Sequence, residues 1–322
     1  VTPLGNSIPT AANGSVAPIA PDPSAQLRLM RAVRDEGFDV LHLHEPMVPG
    51  AAMTACLLKP VPLLGTFHAA GNSASYQLLN PAVRWLAGRL DARVAVSAEA
   101  EALAVHHLGG SYELLFNGIE ACRFHDVEPW PTDGPTILFL GRHEPRKGLD
   151  VLLAALASLP ADVKVWIGSD GPDTERLKVR HAGDPRLEWL GRLSDEEKRR
   201  RLRGADVFCA PSLRGESFGV VLLEAMAARA AIVASDLSGY RLVARPDRDG
   251  LLVPPGDVDA LAGALVRVLD DPGLASKLVA SGAERVDEFS MDHLAERYVQ
   301  IYERITTPRP QGRGWRRHRA NR

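Results

Sequence analysis

The sequence predicts an α/β protein built as two doubly wound, Rossmann-like domains facing each other across a cleft. Three observations carry that prediction. Short apolar segments alternate with amphipathic helical segments along residues 27–306, the pattern of parallel sheets covered by helices on both faces. The alternation breaks once, at "ACRFHDVEPWPTDGP" (residues 121–135), where three prolines mark a linker. The length of 322 residues gives each half enough chain to bury a core of ordinary size.

Residues 1–25 are rich in Pro, Gly, Ser and Asn and read as a loop without a strand or helix of its own. "AQLRLMRAVRDEG" (25–37) then reads as an amphipathic helix ended by Gly37, and "FDVLHLHEP" as a strand stopped by Pro46. A helix near 50–58, a strand "VPLLGTFH" ending at His68, a helix near 81–90, a strand "ARVAVS", a helix over 98–107 and a short strand "YELLF" complete the first half. In the second half the strands are "TILFLG", "VKVWIG", "LEWLG", "DVFCA", "AIVAS" and "GLLVP". Helices are expected between them at 149–159, 174–181, 195–203 and 217–228, then at 257–269, 272–284 and 291–306. The organisation that follows is a first domain over 1–120, a linker over 121–135 and a second domain over 136–288. A C-terminal helix over 289–307 returns toward the first domain. The basic tail 308–322 reads as disordered and solvated, with contact to anionic lipid headgroups as the alternative.

Composition narrows the function. Apolar residues are 45% and charged residues 24% of the chain, ordinary globular values. A formal net charge of −2 offers no global field for nucleic acid. Cys56, Cys122 and Cys209 are widely spaced and form no C-x-x-C pair, which fits a reduced, cytoplasmic protein without a disulfide framework or zinc site. No apolar run reaches the roughly 20 residues of a spanning helix, and no signal peptide is recognisable. No cluster of Asp and His suggests a dedicated metal site.

Two turns carry the chemistry, because open α/β sheets bind ligands beyond the carboxyl ends of their strands. In "GRHEPRKGLD", which follows "TILFL", Arg142 and Lys147 stand five apart between Gly141 and Gly148. A guanidinium fork and an ammonium suit a diphosphate that leaves with its charge. A solvated basic loop is the plain alternative. In "LRGESFGVVLLEAMAA", Glu216 stands where amide hydrogens would point outward at a helix start, and Glu224 lies about two turns further on. Such amides hold phosphate oxygens. Glu216 would repel them and suits sugar hydroxyls instead. An unpaired Glu224 among Leu222, Leu223, Ala225 and Met226 would cost several kcal/mol, which a ribose diol would relieve. Spacing equally allows Glu224 an exposed helix face. His68 ends a strand, and His42 and His44 alternate on another, where a structural role is the simpler reading.

Glutamate, seven residues, glutamate, with "SFG" after the first, resembles the signature of the family 4 retaining glycosyltransferases, and "GRxxxxKG" resembles that family's diphosphate clamp. Within it, "NGSVA", "FDVLHLHEP", "TFH", "FNGIE", "FLGRHEPRKG", "ADVFCAP", "GESFGVVLLEAMAA" and "VASDLSGYR" are most similar to the actinobacterial phosphatidylinositol mannosyltransferases. The resemblance implies the GT-B fold and transfer of mannose from GDP-mannose to phosphatidylinositol in glycolipid synthesis, with retention. It implies that Arg142 and Lys147, with Arg146, grip the donor diphosphate. Leu193, Ser194, Asp195 and Lys198 flank the guanine, Glu216 contacts the mannose, and Ser217, Phe218, Gly219 and Val220 lie under the phosphates. Glu224 binds the ribose, His68 acts near the anomeric carbon, and Asn13 belongs to the acceptor pocket. Pro18 stands where the subfamily carries an arginine. No tightly bound cofactor is implied, and the one metal admitted is a Mg2+ ion brought in on the donor phosphates. Arg28, Arg31 and Arg34 match a basic helix that docks on anionic lipid at the inner face of the membrane, at roughly 1 kcal/mol per basic residue; an ordinary exposed helix explains them equally well.

The family begins with a strand, a glycine-rich loop, a helix and a second strand that have no counterpart here. The first domain is therefore expected to be incomplete, poorly stable and weak in catalysis. The competing readings are a relative using UDP-N-acetylglucosamine and inositol phosphate, a catalytically inactive nucleotide-binding fragment and, more remotely, an epimerase of the same fold.

Overall fold

The computed structural model describes residues 4, 8–12, 15–19, 22–69 and 80–307. Two parallel sheets dominate. Strands β3 (Leu41–His44), β4 (Leu63–Phe67), β5 (Ala92–Ala95) and β6 (Glu113–Leu114) form the first, in the order β3-β4-β5-β6. Strands β7 (Thr136–Leu140), β8 (Lys164–Gly168), β9 (Leu187–Gly191), β10 (Val207–Ala210), β11 (Ala231–Ser235) and β12 (Leu251–Val253) form the second, in the order β12-β11-β10-β7-β8-β9. The chain thus builds outward from β7 in one direction, returns, and builds outward from β10 in the other. The switch point lies between β7 and β10, where a doubly wound sheet opens a ligand crevice.

Burial follows the apolar runs. Ile137, Leu138, Val165, Ile167, Val207, Phe208, Ile232 and Val233 are wholly enclosed between helices on the two sheet faces. The first sheet has its own core around Leu63, Phe67, Val83 and Leu86. The C-terminal helix Met291–Thr306 packs Leu294 and Ile301 against Leu64 and Val94 of that first sheet and Leu115 just past β6. Each such buried side chain contributes about 1.5–3 kcal/mol of apolar burial. Arg297 and Arg304 add ion pairs to Glu113 at 2.7 and 3.0 Å. The chain passes between the lobes at two adjacent points, joined by Ile119 N to Phe289 O at 2.9 Å and Met291 N to Ile119 O at 3.0 Å.

Several expectations need correction. Residues 8–19, read as loop, contain an antiparallel pair, β1 (Ile8–Ala12) and β2 (Ser15–Ile19). Pro9 and Pro18 hid it, because proline suppresses a strand reading; yet they face each other in register. The Asn-Gly pair between the strands was the hairpin signal. The linker region holds a one-turn helix, Cys122–His125, and a helix Ser238–Val243 was not foreseen. The helix placed at 217–228 begins only at Val220 and ends at Ala227. Asn13 and the tail 308–322 lie outside the described residues. Among the described residues no helix is long and apolar enough to cross a membrane.

Candidate active site

The two motif turns flank the switch point. The loop after β7 runs through a short turn, Pro145–Lys147, into helix Leu149–Ala155. The loop after β10 runs to helix Val220–Ala227. They are stitched together: Leu213 N donates to Arg146 O at 2.7 Å. Gly148, at φ +70°, lies so close that a Cβ there would stand 1.8 Å from Pro211 O. Only glycine satisfies both the dihedral and the contact.

This stitching assembles a charge cluster. Lys147 Nζ lies 2.6 Å from Glu216 Oε1, and Arg146 Nη1 lies 3.6 Å from the same oxygen. Ser212 Oγ donates to it at 3.0 Å and sits 3.0 Å from the Tyr240 hydroxyl. Arg146 Nε approaches Glu144 Oε1 at 2.6 Å without hydrogen-bond alignment, and Arg142 Nε stands 3.7 Å from Glu144 Oε2. Three cations thus face two carboxylates. The Arg142 Nε atom is buried and makes no hydrogen bond, an unmet donor that favours an anionic ligand. Glu216 is only 10% exposed, so its two closest donors hold it in one place. Gly239 fixes it from behind: a Cβ there would stand 1.9 Å from Glu216 O. Burial, then the Glu216 charge, push the Tyr240 phenol far up, so Tyr240 stays neutral as a support for Ser212.

Of the four residues expected at the helix start, Val220 opens the helix and Ser217 and Phe218 precede its N-cap. Gly219, left-handed at φ 90°, is the N-cap of helix Val220–Ala227 and provides no side-chain cap. The first amides of that helix are the outward donors. Phe218 is buried, packed edge-on to Phe289 at 5.6 Å, so its ring serves the core.

Glu224 is not on an exposed face. It is 19% exposed and pairs with Lys198 Nζ at 2.7 Å. Both line a cavity of about 280 Å³ with Asp195, Arg199, Arg123 and Val220. Ser194 caps helix Asp195–Gly204 by accepting from Glu197 N at 3.1 Å. Leu193 packs beside Gly168. Arg142 instead borders a larger opening of about 850 Å³ with His143, Ser169 and Trp189. That opening is lined by neither glutamate of the signature; Glu216 lies in the charge cluster and Glu224 in the smaller cavity. Sequence reasoning missed Glu144, Ser212, Tyr240 and the role of Gly239. "SGYR" stood in a quoted segment, but its contact with Glu216 spans more than twenty residues and no local spacing reveals it.

In the other lobe, His68 follows β4 and His44 ends β3. Glu45 Oε1 accepts from the His68 and Ala69 amides at 2.5 and 2.6 Å. Burial first, then neighbouring imidazoles, push His42 and His68 down to about 4 from the usual 6.5. Burial also lowers His44, against the opposing Glu45 charge. Among the described residues, Tyr298 lies with its ring 4.8 Å from that of His42, and the Tyr302 hydroxyl lies 2.8 Å from His42 Nδ1. The unfolded chain takes up these protons near 6.5 and the folded chain only near 4. The histidines' contribution is therefore fully present above the unfolded value and is lost as pH falls through that window. The melting temperature should hold near neutrality and drop by several degrees between pH 6.5 and 4; His42→Asn should flatten part of that slope in calorimetry. A flat profile in both proteins would contradict the burial argument.

Among the described residues no group of three His, Cys, Asp or Glu is arranged to hold a metal ion.

Two family models match. Residues 122–285 match "Glycosyl transferases group 1" and residues 5–123 match "Glycosyltransferase Family 4". The chain is 38% identical over 312 residues to phosphatidyl-myo-inositol mannosyltransferase of Mycolicibacterium smegmatis, covering 94% of this chain and 80% of that one. It is 38% identical over 316 residues to the protein of that name from Mycobacterium leprae, covering 95% and 84%. The solved structure of sucrose-phosphate synthase from Thermosynechococcus elongatus superposes with a TM-score of 0.71 at 24% identity, covering 88% of this chain and 77% of that one. At that identity the last likeness speaks for the fold alone.

Proposed function

The chain belongs to the group 1 and family 4 glycosyltransferases, and from that premise we propose that it moves mannose from GDP-mannose to the inositol ring of phosphatidylinositol, with retention of configuration. The observation that carries the reading is the meeting of Lys147, Arg146 and Glu216 across the switch point. Identity to mannosyltransferases of that name over most of both chains supports the sugar and the acceptor.

In this reading Lys147, Arg142 and Arg146 receive the donor diphosphate with the first amides of helix Val220–Ala227, and Glu224 takes the ribose hydroxyls in exchange for part of its contact with Lys198. Glu216 holds the mannose. Its Oε1 already accepts from Lys147 and Ser212, so that oxygen is engaged within the protein. The departing phosphate oxygen takes the proton. The bond from the anomeric carbon to that oxygen breaks, the bond to the inositol oxygen forms on the same face, and the proton passes to the diphosphate. His68 stands beside the transferred sugar. Any Mg2+ is carried by the phosphates.

The enzyme works at the cytoplasmic face of the membrane. Helix Pro23–Glu36 exposes Leu27 (62%) and Met30 (41%) beside Arg31. Arg28 is engaged by Asp22 and Arg34 by Asp35, so contact there is weaker than three arginines would give and leans on the two apolar side chains.

The test is transfer of radiolabelled mannose from GDP-mannose into an organic-phase product in the presence of phosphatidylinositol vesicles, with GDP and UDP compared by thermal shift. Labelled lipid and stronger stabilisation by GDP are expected. Stabilisation by UDP over GDP, or GDP binding without turnover, would overturn the reading in favour of a different donor or a binding-only chain.

A further inference from the structure

Three imidazoles stand in a row at the carboxyl end of the first sheet. His44 pairs in register with Thr66, so His42, His44, Thr66 and His68 share one face of two neighbouring strands. His42 and His44 stack at 4.5 Å between ring centroids, and His44 and His68 at 5.1 Å. Nδ1 of His44 lies 2.8 Å from Nε2 of His68. The far end of the row is anchored. His42 Nε2 lies 2.7 Å from Thr66 Oγ1, and its Nδ1 lies 2.8 Å from the Tyr302 hydroxyl. Tyr298 closes the set, 3.2 Å from Thr66 Oγ1. Both tyrosines belong to helix Met291–Thr306.

We infer that His44 is a positioning residue for the transfer reaction, holding the His68 ring through its Nδ1–Nε2 hydrogen bond, and that His42 seats this pair against the C-terminal helix. The inference deepens the proposed function and rests on its placing of His68 beside the transferred sugar. A histidine that spends Nε2 on a neighbour can address a substrate hydroxyl from the ring only through Nδ1, and the tautomer at one nitrogen is set by the partner of the other. Two bonds therefore fix His68: Glu45 holds its backbone amide and His44 holds its ring. The stack also bars free rotation, because His44 is itself held by ring contact with His42. A reacting group released from such a hold loses its alignment with the sugar while donor binding in the other lobe is untouched.

His44→Ala should lower kcat by roughly tenfold to a hundredfold, with the donor KM unchanged within about twofold. His44→Asn, whose amide stands where Nδ1 stood, should recover most of the loss. Added to His68→Ala, His44→Ala should cost nothing further, because it acts only through His68. Tyr302→Phe, which removes only one hydroxyl from the row, should show a smaller fall in kcat and tests the same link if His44→Ala folds poorly. A wild-type kcat in His44→Ala, or no recovery in His44→Asn, overturns the inference. So does a full His44→Ala loss on a His68→Ala enzyme that is already slow, and that result leaves the reading of His68 standing. Full activity in His68→Ala overturns that reading and this inference together.

Discussion

Replacing Lys147 with alanine is expected to lower kcat by about 100- to 1,000-fold, the usual loss when one preorganised donor to developing charge is removed. The reasoning is electrostatic. Lys147 Nζ is fixed 2.6 Å from a nearly buried carboxylate at the switch point, so it costs little to aim at a leaving diphosphate and gains most when that group takes the full charge of the broken bond. The fold should survive, because Glu216 keeps Ser212 at 3.0 Å and Arg146 at 3.6 Å, which limits the penalty of an unpaired carboxylate. Lys147→Arg should remain well below wild type, since a planar fork does not occupy the place of a point charge. The checks are kcat with saturating donor and the melting temperature of each variant. An alanine variant that keeps its rate and loses only stability would make Lys147 a structural residue.

The second large effect is steric. Gly239→Ala should abolish most activity, by about 100-fold or more, while the protein remains folded. A Cβ at 239 would stand 1.9 Å from Glu216 O and close to Ser217. That contact is to backbone, so no side-chain rotation relieves it. The loop bearing Glu216 must shift, and with it the partner of Lys147. Donor binding should weaken together with kcat, because the same loop leads to the first amides of helix Val220–Ala227. Wild-type turnover in this variant would show that the position of Glu216 is not critical.

The sequence-derived expectations succeeded where the determinant is local and fell short where it is not. Apolar runs placed the ten parallel strands of the described residues, since a strand covered on both faces is nearly continuous in apolar residues. "GRHEPRKG" and the pair Glu216 and Glu224 could be read because each lies in one short stretch of chain, a turn at a strand end and the helix that follows it. Glu144 was passed over in that same loop, since a carboxylate between cations argues against an anion site until its geometry is known; here it spaces Arg142 and Arg146. Gly239 and Tyr240 act on Glu216 through a helix that no periodicity announced. The row from His42 to His68 joins two strands to a helix more than 200 residues away, and alternation alone suggested only a shared face. The hairpin of β1 and β2 was concealed by its prolines.

The central claim is that cations from the loop after β7 and amides from the loop after β10 share one diphosphate. A crystal structure of the chain with GDP tests it most directly. The account predicts phosphate oxygens within hydrogen-bond reach of Lys147 Nζ, the Arg142 guanidinium and the amides of Val220 and Val221, with the ribose hydroxyls on Glu224. A diphosphate seated instead in the larger opening beside Ser169 and Trp189, out of reach of Lys147 and of that helix start, would contradict it.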